Sequence, residues 1–199
     1  MIELIIMSEI VKTLKLPGEI KIELKPENNL TLTGPKGTVT RQFKTHRVKM
    51  TQKGNSIVVE GSPKNKQTDK LVETIISHVK NMVEGLIYGY KYKLRIVYSH
   101  FPMSIQVEKE NVSIKNFLGE KFPRKARILG LTKVEAKGQD ITVSGINKED
   151  VGQTSSNLER KTKVKGKDIR RYQDGIYLIE TGNIEALKGP VLEVIRGRE

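Results

Sequence analysis

Between positions 160 and 171 the chain carries seven basic side chains, Arg160, Lys161, Lys163, Lys165, Lys167, Arg170 and Arg171, against one acid, Asp168. The lysines at 161, 163, 165 and 167 alternate, which puts four ammonium groups on one side of an extended segment. Mutual repulsion keeps such a segment open until phosphates neutralise it. Each neutralised phosphate releases counterions, so binding gains affinity and becomes salt-sensitive. Arg170 and Arg171 add forked donors suited to phosphate or guanine. Tyr172 follows at once and could stack on an unpaired base. A second basic cluster, Lys121, Arg124, Lys125 and Arg127, lies upstream. The competing reading is a solvated charged loop that binds nothing specific. Two observations weigh against it. The second basic cluster adds to an excess that is local, since the residues from Tyr172 onward hold three basic and five acidic groups. It is also backed by the whole chain, whose 36 Lys and Arg against 23 Asp and Glu give a formal charge of +13. A field of that sign draws polyanions, nucleic acid first among them.

Just before the basic run stand Gln153, Thr154, Ser155, Ser156 and Asn157. They read as the opening of a thin helix. Small polar side chains there would let an RNA backbone come close, and free N–H groups at a helix start favour phosphate. Ordinary capping by Thr or Ser explains the same residues equally well.

Other chemistries lack their residues. Gly34-Pro35-Lys36-Gly37 has neither the spacing nor the Lys-Ser/Thr ending of a phosphate loop, and reads as a hairpin turn. His46, His78 and His100 are scattered, with no acid or nucleophile at useful spacing, and His78 is expected on the edge of an apolar helix. There is no cysteine, which removes disulfides and Cys-type zinc sites. No enzyme activity, metal, cofactor or small-molecule substrate is therefore expected. A membrane partner would need a basic amphipathic helix or a long apolar run, and Leu4-Ile5-Ile6-Met7 is far too short. Glu3 sits where a secretory signal would be basic. Met7, followed by Ser8 and Glu9, suggests that the first six residues are a dispensable extension.

The elements that must carry the basic groups occur twice. Ile20, Ile22 and Leu24 alternate with polar residues before a turn at Pro26-Glu27-Asn28-Asn29 and a strand through Leu30 and Leu32. Ile105 and Val107, a turn at Glu110-Asn111, and Val112 with Ile114 repeat the pattern. Both read as hairpins. Gly37 and Gly119 hold matching places where a turn needs positive φ. Basic strands follow, marked by Arg41, Lys44, Arg47 and Lys49 in the first copy and by the Lys121 cluster in the second. Turns at Lys53-Gly54-Asn55 and Lys137-Gly138-Gln139-Asp140 then lead into strands that end at Gly61 and Gly145. A polar loop, a Gln-Thr pair (Gln67-Thr68 and Gln153-Thr154) and a helix close each copy. The first helix has a full apolar stripe, Leu71, Val72, Ile75, Ile76, Val79, Met82, Val83 and Leu86. The second is thinned by Gly152, Ser155 and Ser156. Tyr88-Gly89-Tyr90 links the copies, and residues 92–98 read as a further strand.

The expected fold is α+β: two tandem copies of a unit with an antiparallel or mixed sheet covered on one face by a helix. The copies span 8–90, with the core helix at about 68–86, and 91–182, with a tail at 183–199. At 199 residues, the chain suits two domains of roughly 100 residues.

Several stretches together resemble a known family. Asn116-Phe117-Leu118-Gly119-Glu120-Lys121, Ser99-His100-Phe101-Pro102, and the run from Lys167-Asp168-Ile169-Arg170-Arg171-Tyr172 through Gln173-Asp174-Gly175-Ile176-Tyr177 look like the universal L-six family of large-subunit ribosomal proteins, in its eukaryotic cytosolic form. Leu16-Pro17 and Gly34-Pro35-Lys36-Gly37 match that family's start, and the resemblance covers roughly residues 8–182. It implies two α/β domains in a structural, non-catalytic protein. The second domain would grip large-subunit rRNA near the sarcin-ricin loop and the stalk base, beside other large-subunit proteins there. The implied contact set is Gln153, Thr154 and Ser156 with the basic groups from Arg160 to Arg171, Tyr172, and Lys121, Arg124 and Lys125. A cytosolic ribosomal location follows, with nuclear or nucleolar passage during assembly. Departures from the family pattern are Gly166 between lysines and the long tail after Gly182. The alternative is an RNA-binding regulator that works away from ribosomes. The first copy, weaker in basic bias, is expected to face protein or solvent.

Overall fold

The computed structural model describes residues 10–99, 101–168 and 170–184, together with the backbone of Val194–Arg196. His100, Ile169, the first six residues and most of the tail lie outside the described residues. The chain divides into two compact units, one comprising Met1–Ile87 with Leu187–Glu199 and the other Tyr88–Ala186.

In the first unit β1 is Ile10–Lys15, β2 Lys21–Lys25, β3 Asn29–Gly34, β4 Gly37–Gln42, β5 Val48–Lys53 and β6 Ser56–Gly61, followed by α1, Lys66–Ile87. The β2–β3 turn closes through Glu27 and Asn28, both at positive φ (65° and 55°). Gly54, at φ 59°, closes β5 onto β6. The Asn65 side chain accepts the Thr68 N–H at 2.8 Å and so caps the start of α1. Seven of the eight stripe residues are buried, Leu71 being half-buried, and His78 sits at the stripe's edge. Each such aliphatic side chain stabilises the unit by about 1.5–3 kcal/mol. The helix packs on β1, β3, β4, β5 and β6.

The second unit repeats the order: β7 Tyr90–Val97, β8 Ser104–Val107, β9 Asn111–Lys115, β10 Arg124–Arg127, β11 Lys133–Lys137, β12 Asp140–Gly145, α2 Lys148–Lys161 and β13 Gly175–Asn183. A single 3-10 turn at Phe117–Gly119 separates β9 from β10. Gly119 (φ 78°) matches Gly37 (φ 146°), and Gly138 (φ 60°) matches Gly54. The duplication reaches single bonds. The Phe43 N–H reaches the carbonyl of turn residue Asn28 at 3.1 Å, and the Ile128 N–H that of Glu110 at 2.8 Å. Gly61 and Gly145 are needed for the same reason. A Cβ on Gly61 would lie 2.6 Å from Thr68 Cγ2, and one on Gly145 2.9 Å from Val151 Cγ2. In both units the helix lies directly on the glycine that ends the strand.

Each unit holds two antiparallel sheets, bridged by its helix. The first has β2-β3-β4 and a four-stranded sheet in which β14 (Val194–Arg196), β1, β6 and β5 lie side by side. The second has β8-β9-β10 and β13-β7-β12-β11. The duplicated α+β architecture is as the sequence implies. The fourth strand differs in origin. In the second unit it is β13, the next strand after the helix. In the first it is β14, which pairs antiparallel with β1, Leu14 opposite Val194 and Lys12 opposite Arg196.

Candidate nucleic-acid interface

The second unit carries every candidate contact residue, and its helix is the frame for them. Asn147 caps α2, its side-chain oxygen accepting the Glu149 N–H at 3.1 Å. Helix formation therefore starts at Lys148, five residues before Gln153. This corrects the expectation that Gln153, Thr154 and Ser156 open the helix. Their N–H groups lie inside it and are not phosphate donors, and neither Thr154 nor a serine caps it. Thr154 is 1% exposed and its hydroxyl accepts the Leu129 N–H at 3.1 Å, so its side chain serves the core. Gln153 is exposed and reaches Asn157 (3.0 Å), which in turn donates to the Arg127 carbonyl (3.0 Å). Ser156 is half-buried. The small residues that thin the stripe have a packing role: Ser155 is buried and donates to the Val151 carbonyl at 2.8 Å.

Arg160 and Lys161 are exposed in the last turn of α2, where the helix dipole favours cations. Lys161 therefore does not belong to an extended run of four lysines. After it, Thr162 is buried and Val164 packs partly against the core, while Lys163 and Lys165 are exposed. The alternation holds for that pair. Gly166 (φ 70°) then turns the chain, and Lys167 folds back until its ammonium is 4.8 Å from the Tyr172 ring centre. The Arg171 guanidinium is 6.0 Å from the same ring. Asp168, the one acid, organises this bend: its carboxylate accepts the Arg170 N–H (2.9 Å) and its carbonyl those of Arg171 (3.2 Å) and Tyr172 (2.9 Å), as Asx turns do.

The base of the loop is pinned. The Thr162 hydroxyl accepts the Ile176 N–H at 2.9 Å and reaches the Leu158 and Glu159 carbonyls at 3.2 Å. Glu159 accepts the Leu178 N–H, and the buried Asp174 accepts that of Ser99, both at 2.9 Å. Helix end and β13 are thereby joined, and the basic residues stand out from a fixed stem.

The two basic clusters meet. Arg124 donates from Nη1 to the Lys161 carbonyl at 2.6 Å, and from Nε and Nη2 to both oxygens of Glu120 at 2.8 and 2.5 Å. Its guanidinium also lies 4.3 Å from the Phe117 ring centre. With its donors so engaged, Arg124 ties its own loop to the end of α2. The hydrogen bonds from Arg124 hold the Glu120 carboxyl below the usual glutamate range; slight burial opposes this, and the charges of Arg124 and Lys167 reinforce it. Lys167 is thus close enough to feel Glu120. Lys121 and Lys125 are exposed beside this tie. In the sequence Glu120 and Asp174 stand out only as members of family motifs, with nothing to mark their hydrogen-bonding roles, and Thr162 gives no local signal.

Among the described residues, no group of three or more His, Asp or Glu could hold a metal ion, and no helix is long and apolar enough to cross a membrane. The arrangement provides exposed cations on a pinned stem.

The model of the family described as Ribosomal protein L6 matches the chain twice, at residues 16–89 and 101–175, once in each unit. The chain belongs to the ribosomal protein L6 family. It is 45% identical over 174 residues to the large ribosomal subunit protein uL6 of Methanosarcina mazei, an alignment covering 87% of this chain and 98% of that protein. The uL6 proteins of Staphylothermus marinus (44% identical; 90% of this chain and 98% of that one) and Methanobrevibacter smithii (41%; 88% and 98%) are similar in the same way. These members of the family are archaeal, and they match almost from end to end.

Proposed function

We infer that the chain is a structural, non-catalytic constituent of the large ribosomal subunit in the cytoplasm, and that its second unit binds large-subunit rRNA near the sarcin-ricin loop and the stalk base. Family membership supports the first statement. The second rests on one observation: Arg124, braced by Glu120, fastens the Lys121 loop to Lys161 at the end of α2, where the basic run begins, so that separate basic clusters come together as one cationic face. The contact set we propose is Lys121, Lys125, Arg160, Lys161, Lys163, Lys165, Lys167, Arg170, Arg171 and Tyr172, with Gln153 and Ser156 at its margin. Arg124 and Thr154 act from behind it. Other large-subunit proteins near the stalk base are its expected neighbours. The motifs suggested the eukaryotic cytosolic form; because the relatives compared are archaeal, we read the chain as the cytosolic type common to both, and nucleolar passage applies only in a cell with a nucleus.

Hydroxyl-radical footprinting of deproteinised large-subunit rRNA with the full chain tests this. Protection is expected around the sarcin-ricin loop, lost in K163A/K165A/K167A/R170A. Protection elsewhere, or unchanged by that variant, overturns the assignment.

A further inference from the structure

The loop between the 3-10 turn and β10 presents Phe122 with 85% of its surface exposed. Such exposure contributes nothing to the core. The loop is nonetheless held still. Asn116 Nδ2 donates to the Pro102 carbonyl at 3.0 Å. Phe101 packs over Gly119, where an added Cβ would lie 3.3 Å from its ring. Beyond Phe122, Arg124 grips Glu120 with two bonds and the Lys161 carbonyl with a third. The aromatic ring is thus carried on a fixed support.

Its surroundings select the partner. Lys121 and Lys125 are exposed on either side, and Lys161, itself exposed, is joined to the loop through Arg124. The carboxylate beside Phe122, Glu120, is already paired. We propose that Phe122 is a stacking platform for one unpaired nucleobase of the RNA, with Lys121 and Lys125 taking the adjoining phosphates. Single-stranded RNA offers both an apolar π-face and a flanking negative charge, and aromatic side chains set among cations grip it in that way. An apolar pocket on another protein would match the ring but leave the lysines unpaired. The proposal rests on the RNA-binding reading of the same face and adds to it the kind of nucleotide recognised.

The chain has no tryptophan, so F122W places a single reporter at the site. The full chain and its F122W, F122A and F122L variants are titrated with deproteinised large-subunit rRNA, and thermal melting checks that each is folded. Stacking predicts quenched F122W fluorescence and near wild-type affinity for F122W. F122A and F122L should each bind about 10-fold more weakly, within the range for one stacked base, with the salt dependence unchanged. Unquenched tryptophan, wild-type affinity in F122A, or F122L binding as well as wild type overturns the proposal. If F122A also fails to enter reconstituted subunits while binding rRNA normally, Phe122 meets a protein instead. Weakened binding by K163A/K165A/K167A beside an unaffected F122A would reject stacking alone. Absence of salt-dependent binding by the wild type would reject the RNA-binding reading as well.

Discussion

The two units share strands, turns, glycines and asparagine helix caps, yet the candidate contact residues all belong to the second. The difference lies in the connection that leaves the helix. After α1 the chain passes through Gly89 straight into β7 and begins the second unit. After α2 it must return to its own sheet as β13, and that return is the pinned loop with Lys163, Lys165, Lys167, Arg170 and Arg171. The first copy has no such connection, because its fourth strand arrives as β14. The helices differ accordingly. The 22-residue α1 buries a continuous aliphatic stripe. The 14-residue α2 buries only Val151, Thr154, Ser155 and Leu158, and two of these spend their hydroxyls on neighbouring backbone. A duplicated fold has thus diverged where one connection was free to lengthen.

Neutralising each unit in turn separates their roles most strongly. K163A/K165A/K167A/R170A should weaken binding to deproteinised large-subunit rRNA on the order of 100-fold near 0.1 M salt and flatten the log–log salt slope by about 3. R41A/K44A/R47A/K49A, the same loss of charge in the first unit, should leave both nearly unchanged. Equal effects would spread the interface over both units. Thr162→Val tests the stem of the loop. It leaves the Ile176 N–H buried without its acceptor, so chemical denaturation should show the second unit destabilised by about 1–3 kcal/mol, with the first unaffected. Deleting residues 185–199 should act in reverse: hydrogen exchange should quicken along β1 and leave β7 protected, since only the first sheet loses a strand. The smallest effect concerns Glu120. Its carboxyl is held below the ordinary range, so the tie it makes is complete above the usual glutamate pKa and is lost as pH falls through its lowered folded value. NMR titration should find Glu120 among the later carboxylates to protonate, and E120Q should remove that signal while shifting rRNA affinity less than the changes above.

Much of this was legible from local pattern. The aliphatic spacing of α1, the paired hairpins and the matched glycines each depend on near neighbours. The start of α2 was not. Lys148, Glu149 and Asp150 read as polar loop, yet they are the acid-bearing first turn behind the Asn147 cap, and missing them misplaced Gln153 and Thr154. Lys161 looked like part of an alternating strand because charge spacing does not reveal that it ends a helix. Arg124 looked like a free cation because its acceptors, Glu120 and the Lys161 carbonyl, converge only after folding. Phe122 was passed over because one exposed aromatic has no periodicity to announce it. The second partner of β1, β14, lies nearly the whole sequence away, beyond the reach of any window.

That last pairing bears on how the polypeptide is born. By the time α1 has been made, every other strand of the first sheet exists, but Val194 is still more than a hundred codons ahead. At translation rates of roughly 5–20 residues per second, the nascent domain waits about 5–20 s with one side of β1 open. Mid-strand, Lys12 is turned toward α1 and paired with Asp69 and Glu73. An inward charge of this kind penalises a stray strand that would dock there out of register, and so guards the vacancy until the proper partner has been synthesised.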